Sequence, residues 1–534
     1  MLAQKQIERA AQASEVDVLS RAELELDTDN RTQKDDEATE AKNTSRTIQS
    51  EQEILLMYDV VQKHGKPEEV SKLVSSPIFG PVARFRCGEK ELLMRVLDMH
   101  QRAQDWAAVF SLCKQCLEDE GVGSAGANLL AADWSIWQLF IKAAASLQST
   151  DPEYDYLKPL YGKETDNIRI QSTVQRTLLK FAESASLRPI YRRNVLLARL
   201  SAVFTLSQPD GSDAVDGKAS SLRLQELVRY LQDQLANTAC YNDVKTFAEM
   251  LDETGLEWMA TQLHDELRTG WEDAKDVAKA ELLSLKMRYL VATCHSSSTQ
   301  RAQQQQEDSQ APKTHSYEPI IRDALKSYQQ HRDSTEPHMT GTLSELAILI
   351  ALCYIESAEL PSTSQAGSTS FASLLALYRA LVVLEAQLQA SPKDSVILLL
   401  LVQLHLRVGS AARARLLWDD LGVKRTIVDC IAPILYDRLS SISPILLSKA
   451  DKRGAELSHC IRSHYHVSLK KPMPRRLIDA FESESYGSVL QIPEYIEDLR
   501  LGCTRAMSLV EEARTARLLE GPGGRVLDDP RYGK

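Results

Sequence analysis

The chain has 534 residues, which is enough for about three or four domains of ordinary size or for one long array of repeats. Its formal net charge of −11 disfavours a protein dedicated to nucleic-acid binding, and we expect no DNA partner. The 22 glycines and 19 prolines are few for this length, which disfavours the turn-rich all-β folds.

The first segment, residues 1–50, is rich in polar and charged residues, and we interpret it as a helical or disordered N-terminal segment. It has no apolar core behind its first basic residue, so it does not resemble a secretory signal. The nine cysteines of the chain are scattered and odd in number, which favours reduced thiols over a disulfide framework. Apolar runs such as Ala347–Ile355 are far shorter than the ~18 residues of a membrane-spanning helix. We therefore expect a cytoplasmic protein without a membrane partner.

Residues 51–206 show apolar side chains at the three- and four-residue spacing of amphipathic helices. Breaks at Gly65 and near Asp105 would join antiparallel helices. We expect Gly65 to end one helix in a left-handed conformation and Pro67 to lie in the first turn of the next. This region is predicted to form tetratricopeptide-like helical repeats.

Two polar segments interrupt the helical pattern, residues 207–221 and residues 296–316. Both carry too little apolar surface to offset the entropy lost on ordering, so they are predicted to be flexible loops. Residues 222–295 between them are predicted to form a central helical block, and residues 317–534 a set of C-terminal helical repeats. No run alternates apolar and polar residues clearly enough to predict a strand.

The clearest repeat lies in the C-terminal region. Ser391-Pro392 would cap and begin a helix, Gly409 would break it, and a second helix with small residues on its packing face would end at Gly422. The chain as a whole is predicted to be all-α, a tetratricopeptide-like helical-repeat superhelix (an α-solenoid) with flexible polar loops. Large aromatic residues would fill the spaces between repeats, and this interpretation is applied to Trp258, Trp271 and Trp418.

Motifs for catalysis are weak. Gly121–Gly126 matches G-x-G-x-x-G, but it follows an acidic helical stretch instead of a strand, which favours a loop between helices over a dinucleotide site. Cys113 and Cys116 have C-x-x-C spacing without a second pair, which favours buried thiols. The histidines between His459 and His466 lack a set of four zinc ligands. We predict no catalytic, cofactor-binding or metal-binding residues, and no enzyme activity of the chain itself.

Two basic clusters allow two interpretations. They could contact ribosomal RNA or the acidic face of a partner, or they could be solvated helix ends, which are commoner. The first cluster lies around Pro189 and the second around Pro472 and Pro474. The residues considered for contact are Arg192, Arg193, Lys470, Lys471, Arg475 and Arg476.

Four segments, in the expected order, carry a resemblance to a known family. Ala239–Phe247 resembles the Cys-x-x-Asp-Leu-Lys-x-Tyr-type block in the auxiliary (non-catalytic) subunit of the NatB N-terminal acetyltransferase. Asp133–Gln138, Arg192–Leu200 and Leu398–Val423 are similar to other segments of that family. The resemblance covers roughly residues 50–440. Family members are usually longer at the N-terminus, so the chain is interpreted either as a partial gene model or as a shortened member of the family.

The resemblance implies a scaffold. The family's subunit forms a superhelical cradle around a GNAT-fold catalytic subunit, which acetylates nascent N-termini that keep Met and have Asp, Glu, Asn or Gln second. The auxiliary subunit stabilises and activates this partner and helps to place it at the ribosome. Acetyl-CoA is expected on the catalytic partner only.

Four polar residues of the resembling block are the candidates for partner binding: Tyr241, Asn242, Asp243 and Lys245. They would touch the catalytic subunit or fix the helix that does, whereas in the alternative interpretation Asn242 and Asp243 merely cap a helix. The alternative functions are a generic tetratricopeptide-like adaptor, or the auxiliary subunit of another N-terminal acetyltransferase such as NatA. An enzyme that uses Gly121–Gly126 is a third hypothesis, which a strand before Gly121 would favour.

Overall fold

The computed structural model describes most of the chain from residue 51 to residue 520 and divides it into two compact units, residues 1–195 and 196–534. The described part is helical apart from a short hairpin, which confirms the predicted all-α fold of packed helical repeats. The described residues are 51–86, 88–118, 133–150, 173–182, 189–207, 212–269, 274–303, 317–332, 340–359, 371–423, 426–447, 464–465, 469, 472–483 and 485–520.

The first unit is built of helices that pack against their neighbours in sequence. The fifth helix lies at the centre, because it packs against the third, fourth, sixth and seventh. The helices are α1 (Glu51–His64), α2 (Pro67–Val74), α3 (Pro81–Arg86), α4 (Glu91–Arg102), α5 (Trp106–Glu118), α6 (Trp134–Thr150) and α7 (Thr173–Ala182).

Aromatic and thiol side chains fill the core between α5 and α6. The rings of Phe110 and Phe140 stack with their centroids 4.9 Å apart. Cys113 and Cys116 are buried, as the sequence predicted. Burial raises the pKa of the Cys113 thiol, so the thiol stays protonated and is a poor metal ligand or nucleophile.

The predicted turns of the first unit are present, with one correction. Pro67 begins α2 as expected. Gly65 does not have a positive φ, so the predicted left-handed conformation is wrong at this residue. Glycine is required for space instead, because a Cβ atom would lie 2.5 Å from the carbonyl oxygen of Val61. At the other turn, Asp105 caps α5 by accepting a 3.1 Å hydrogen bond from the backbone N–H of Ala108.

The second unit is also built of packed helices, with a short hairpin. Helix α8 (Pro189–Leu206) begins in the first unit and continues into the second. The remaining elements are β1 (Ala214–Val215), β2 (Lys218–Ala219), α9 (Leu222–Asp233), α10 (Cys240–Ala248), α11 (Glu253–Thr261), α12 (Leu263–Arg268), α13 (Ala274–Gln303), α14 (Glu318–Arg332), α15 (Thr340–Glu359), α16 (Phe371–Ala390), α17 (Ser395–Arg407), α18 (Ala411–Leu421), α19 (Thr426–Tyr436), α20 (Leu439–Ile442), a 3₁₀ turn (Pro444–Leu447), α21 (Pro472–Glu482), α22 (Tyr486–Leu501) and α23 (Cys503–Glu520).

Strands β1 and β2 form an antiparallel hairpin inside residues 207–221, where the sequence predicted a loop and no strand. The hairpin is held by contacts with residues about 40 positions away. The backbone N–H of Asp213 donates to the Asp252 carboxylate at 3.1 Å, and that of Asp252 donates to the Asp213 carboxylate at 2.7 Å. The Trp258 indole N–H donates to the Gly217 carbonyl at 3.0 Å. These long-range bonds order a polar segment that has little apolar surface of its own.

Helices α17 and α18 form the predicted repeat with a different start. Gly409 and Gly422 break the helices as expected, and both have a left-handed conformation, with φ values of +80° and +64°. The predicted cap at Ser391 is wrong, because α17 begins at Ser395 and Asp394 caps it. The Asp394 carboxylate accepts hydrogen bonds from the backbone N–H groups of residues 396 and 397, whereas the Ser391 N–H bonds back to Gln387 in α16. Asp394 is therefore the cap, because its carboxylate accepts hydrogen bonds from two backbone N–H groups at the start of the helix.

Other predictions on the second unit have mixed outcomes. Trp258 and Trp418 are buried in the core as expected, and Trp271 lies outside the described residues. Helix α13 runs to Gln303, so the predicted boundary at residue 295 falls within a helix.

Helices α15 and α16 are each long and apolar enough to cross a membrane, judged by length and composition. Neither helix is an unbroken apolar run, because single polar residues such as Ser344 and Gln387 interrupt them, and both were therefore not predicted as possible membrane spans. These two polar residues are buried between the helices, and the Gln387 amide donates to the Ser344 hydroxyl at 3.2 Å. The two helices therefore pack against each other through a specific polar contact.

Candidate partner-binding site

Helix α10 carries the block that the sequence singled out for partner binding. It packs against α9 and α13. Asn237 fixes the start of the helix by accepting a 3.0 Å hydrogen bond from the backbone N–H of Ala239, so neither Asn242 nor Asp243 is the cap. The buried residues recur every four positions: Cys240, Val244 and Ala248.

Tyr241 and Asp243 are engaged inside the unit. The Tyr230 hydroxyl donates to the Asp243 carboxylate at 2.7 Å, which joins α9 to α10. The ammonium of Lys286 on α13 lies 5.6 Å from the centre of the Tyr241 ring and also pairs with Glu345 on α15. Burial raises the pKa of Tyr241 to about 12, so its phenol stays neutral. Both residues therefore position α10 within the array.

Asn242 and Lys245 face solvent, as do the neighbouring Thr246 and Glu249. Of the four candidates, these two are the ones that a partner could touch directly. Their role in binding stays a prediction.

The basic residues around Pro189 have different environments. Arg192 is exposed and Arg193 is half-buried on α8. Arg199, about two turns further on, forms a mostly buried ion pair with Glu226 on α9 at 2.8 Å, so it has a structural role.

The second basic cluster lies on α21, which packs against α22. Arg475 and Arg476 are exposed, and the apolar side chains of Ile478 and Phe481 are exposed beside them. Lys470 and Lys471 lie outside the described residues. The contact of these basic residues with RNA or with an acidic partner stays a prediction.

Among the described residues, the exposed apolar stripe with the most members was not predicted. It runs along α16 and consists of Phe371, Leu374, Leu375, Tyr378 and Val382, which we call the α16 face. Sequence periodicity could not reveal it, because α16 is apolar on all sides and its buried side has the same composition.

About one turn after Val382, on the same side of α16, an ion-pair cluster ties the helix to the next two helices. Arg413 on α18 donates two hydrogen bonds to the Glu385 carboxylate, at 3.0 and 2.7 Å. His405 on α17 lies 3.0 Å from the same carboxylate. These contacts, led by the Arg413 hydrogen bond, hold the pKa of Glu385 below its usual value. The cluster fixes how α16 faces its neighbours.

No catalytic centre is evident in the described residues. No group of three or more His, Cys, Asp or Glu side chains there could hold a metal ion. Gly121–Gly126 lies outside the described residues, as do His459, Cys460 and His466. What the described surface offers is binding area on α8, α10, α16 and α21.

Comparison with known families gives one match. Residues 134–532 match the model of a family described as the non-catalytic subunit of the N-acetyltransferase B complex (NatB). The match covers about three quarters of the chain and includes all of the candidate surfaces named above. No individual curated protein matches the chain.

Proposed function

The chain belongs to the family of non-catalytic subunits of the N-acetyltransferase B complex, and from this membership we propose that it binds and activates the GNAT-fold catalytic subunit of that complex. The family assignment means that the chain forms a complex with a catalytic subunit and is not itself the catalyst. The reaction of the assembled complex would be acetylation of nascent N-termini that begin Met-Asp, Met-Glu, Met-Asn or Met-Gln. Acetyl-CoA would bind to the partner.

The family match is the observation that carries this proposal. An array of packed helices supports it, because such arrays present extended surfaces suited to holding another protein. The exposed residues Asn242 and Lys245, within the block that resembles the family, supply one polar contact region.

A generic adaptor or a NatA subunit is a weaker alternative. Neither accounts for a family match that extends over 134–532 and is specific to the NatB subunit. We also propose that the complex works in the cytoplasm at the ribosome, with the exposed Arg475 and Arg476 supporting contact with ribosomal RNA.

The proposal is tested by co-expressing the chain with the NatB catalytic subunit and isolating the tagged chain. We expect the two proteins to co-purify in equal amounts. Acetylation of peptides that begin Met-Asp or Met-Glu should then be faster than with the catalytic subunit alone. Peptides that begin Ser-Glu serve as controls, because a NatA-type complex would prefer them.

Two outcomes would contradict the proposal. Capture without faster acetylation would remove the activating role and leave only binding. A folded chain that captures the NatA catalytic subunit in place of the NatB one would favour the alternative function.

A further inference from the structure

The α16 face is a continuous apolar stripe on the second unit. Phe371, Tyr378 and Val382 are 81%, 53% and 69% exposed, and Leu374 and Leu375 are partly exposed between them. The spacing 371, 375, 378 and 382 places these side chains along one side of the helix. The stripe is therefore a single surface and not a scatter of isolated exposed residues.

The stripe contains no charged residue. Helix α16 has two charged residues, Arg379 and Glu385. The Arg379 guanidinium lies 6.0 Å from the centre of the Tyr354 ring on α15, and Glu385 is bound by Arg413 and His405. The core of a protein–protein interface typically has few charged residues and many aromatic ones, and the stripe has this composition.

The area is large for a surface that stays in water. The five side chains expose about 500 Å² together, which is near the upper end of the largest apolar patch on a typical monomer. A stable protein complex buries about 800 Å² on each partner, with a polar rim around the apolar centre. The α16 face therefore provides most of the centre of one interface of ordinary size.

The rest of α16 is committed to protein packing. Gln387 is 1% exposed and bonds both the Ser344 hydroxyl and the Tyr328 hydroxyl, so it joins α16 to α15 and α14. Glu385 joins the helix to α17 and α18. These contacts commit the buried side and the C-terminal end of α16 to packing within the unit, so the α16 face is the part of the helix that is left for a partner.

We propose that the α16 face binds the catalytic subunit of the complex, with Phe371 and Tyr378 as its aromatic anchors. This inference rests on the proposed function, since the catalytic subunit is the protein partner that family membership implies. The surface that it meets on the catalytic subunit is apolar and uncharged. Anchors of this kind carry much of the binding energy of an interface.

The test uses the full chain co-expressed with the catalytic subunit. The double variant F371E/V382E places two charges on the face, and both positions are exposed enough to tolerate them. The matched control is F481E on α21, where the phenylalanine is 75% exposed. We expect the double variant to capture the catalytic subunit at least about tenfold less than the wild-type chain, with an unchanged melting curve, and F481E to capture it normally.

A photo-crosslinker gives a second measurement that does not depend on loss of binding. With p-benzoylphenylalanine at position 378, irradiation of the complex should link the chain to the catalytic subunit. The same group at position 481 should not form this link.

The outcomes separate the two proposals. If the wild-type chain and F371E/V382E both capture the catalytic subunit normally, and position 378 gives no crosslink, this inference is overturned. The proposed function then stays intact. Equal loss of capture in F371E/V382E and F481E also overturns it. If the wild-type chain captures no catalytic subunit, both proposals fail.

Other occupants of the face would give distinct results. If the wild-type chain floats with vesicles of phosphatidylcholine and phosphatidylserine and F371E/V382E does not, the face is assigned to a membrane. A wild-type dimer that this variant converts to a monomer would assign the face to a second copy of the chain. Either result, with capture of the catalytic subunit unchanged, overturns the inference.

Discussion

Single buried polar side chains fix how the helices of the second unit pack. Gln387 uses both ends of its amide, because the Tyr328 hydroxyl donates to its oxygen at 2.7 Å and its nitrogen donates to Ser344 at 3.2 Å. An apolar residue at this position could slide along the neighbouring helices, whereas an amide with two fixed partners specifies one alignment. A buried polar group that loses its partner costs more than the bond itself was worth.

We expect Gln387→Ala to lower the free energy of unfolding by about 2 kcal/mol, because it leaves a cavity and removes the partner of two hydroxyl groups. The measurement is the shift in the urea midpoint followed by circular dichroism. Gln389→Ala is the matched control, since Gln389 is exposed on the same helix, and it should change stability little. Equal effects of the two substitutions would show that the buried amide has no special role.

The Glu385 cluster predicts a pH dependence of stability. Because the Arg413 hydrogen bond and then the His405 bond hold the pKa of Glu385 below its usual value of 4.5, the ionised form is stabilised on folding. The stabilising contribution is therefore present above the usual pKa and is lost as the pH falls through the lower, folded-state pKa. The free energy of the pair is small, since the carboxylate is partly exposed.

We expect Glu385→Gln to melt at a lower temperature than the wild-type chain at pH 7, because the charge that Arg413 binds is removed. The two melting temperatures should converge as the pH falls through the lowered folded-state pKa of Glu385, because the wild-type carboxyl then becomes neutral too. Thermal unfolding measured between pH 3 and pH 7 checks this. A constant difference at all pH values would show that the charge of Glu385 does not contribute.

At the scale of the element, the ends of helices depend on which side chain competes best for the free backbone N–H groups. Asp394 caps the start of α17, although Ser391 followed by proline matches the usual pattern of a helix start. Asp394→Ala should lower the free energy of unfolding by about 1 kcal/mol, and Ser391→Ala should have a smaller effect. Urea denaturation of both variants checks this, and the reverse order would restore Ser391 as the cap.

The sequence was sufficient to predict most helices and insufficient to predict contacts between them. Apolar spacing of three and four residues identified the helices, and the helix breaks at Gly409 and Gly422 were predicted from local chemistry alone. The hairpin was missed because its order comes from Asp213 and Asp252, which are 39 positions apart. Long-range pairing of this kind leaves no periodic signal.

For the candidate site, too, the sequence predicted the helix but not its contacts with other helices. The sequence singled out polar residues of α10, but it could not show that the Tyr241 ring lies against Lys286 from α13 whereas Asn242 faces solvent. The α16 face was missed because a helix that is apolar all round gives no indication of which side remains in water. Exposure is a property of the assembled array and not of one helix.

At the scale of the whole molecule, the net charge opposes the proposed association with the ribosome. The chain carries a net charge of −11, so ribosomal RNA repels it on average. Association with the ribosome therefore needs a local basic surface that outweighs this repulsion at short range. The exposed Arg475 and Arg476 on α21, with exposed Phe481 beside them, are suited to this role.

We expect the double variant R475E/R476E, in complex with the catalytic subunit, to sediment with ribosomes several-fold less than the wild-type complex. The reason is that each arginine that pairs with a phosphate displaces a bound counterion, so the difference should shrink as salt rises above about 100 mM. Arg517→Glu is the control, because it changes the charge of an exposed arginine on another helix and should retain ribosome binding. Acetylation of free Met-Asp peptides should be unchanged in both variants, since the arginines act on location and not on chemistry. Equal sedimentation of the double variant and the wild-type complex would exclude α21 as the ribosome contact, and equal loss with Arg517→Glu would indicate a response to total charge alone.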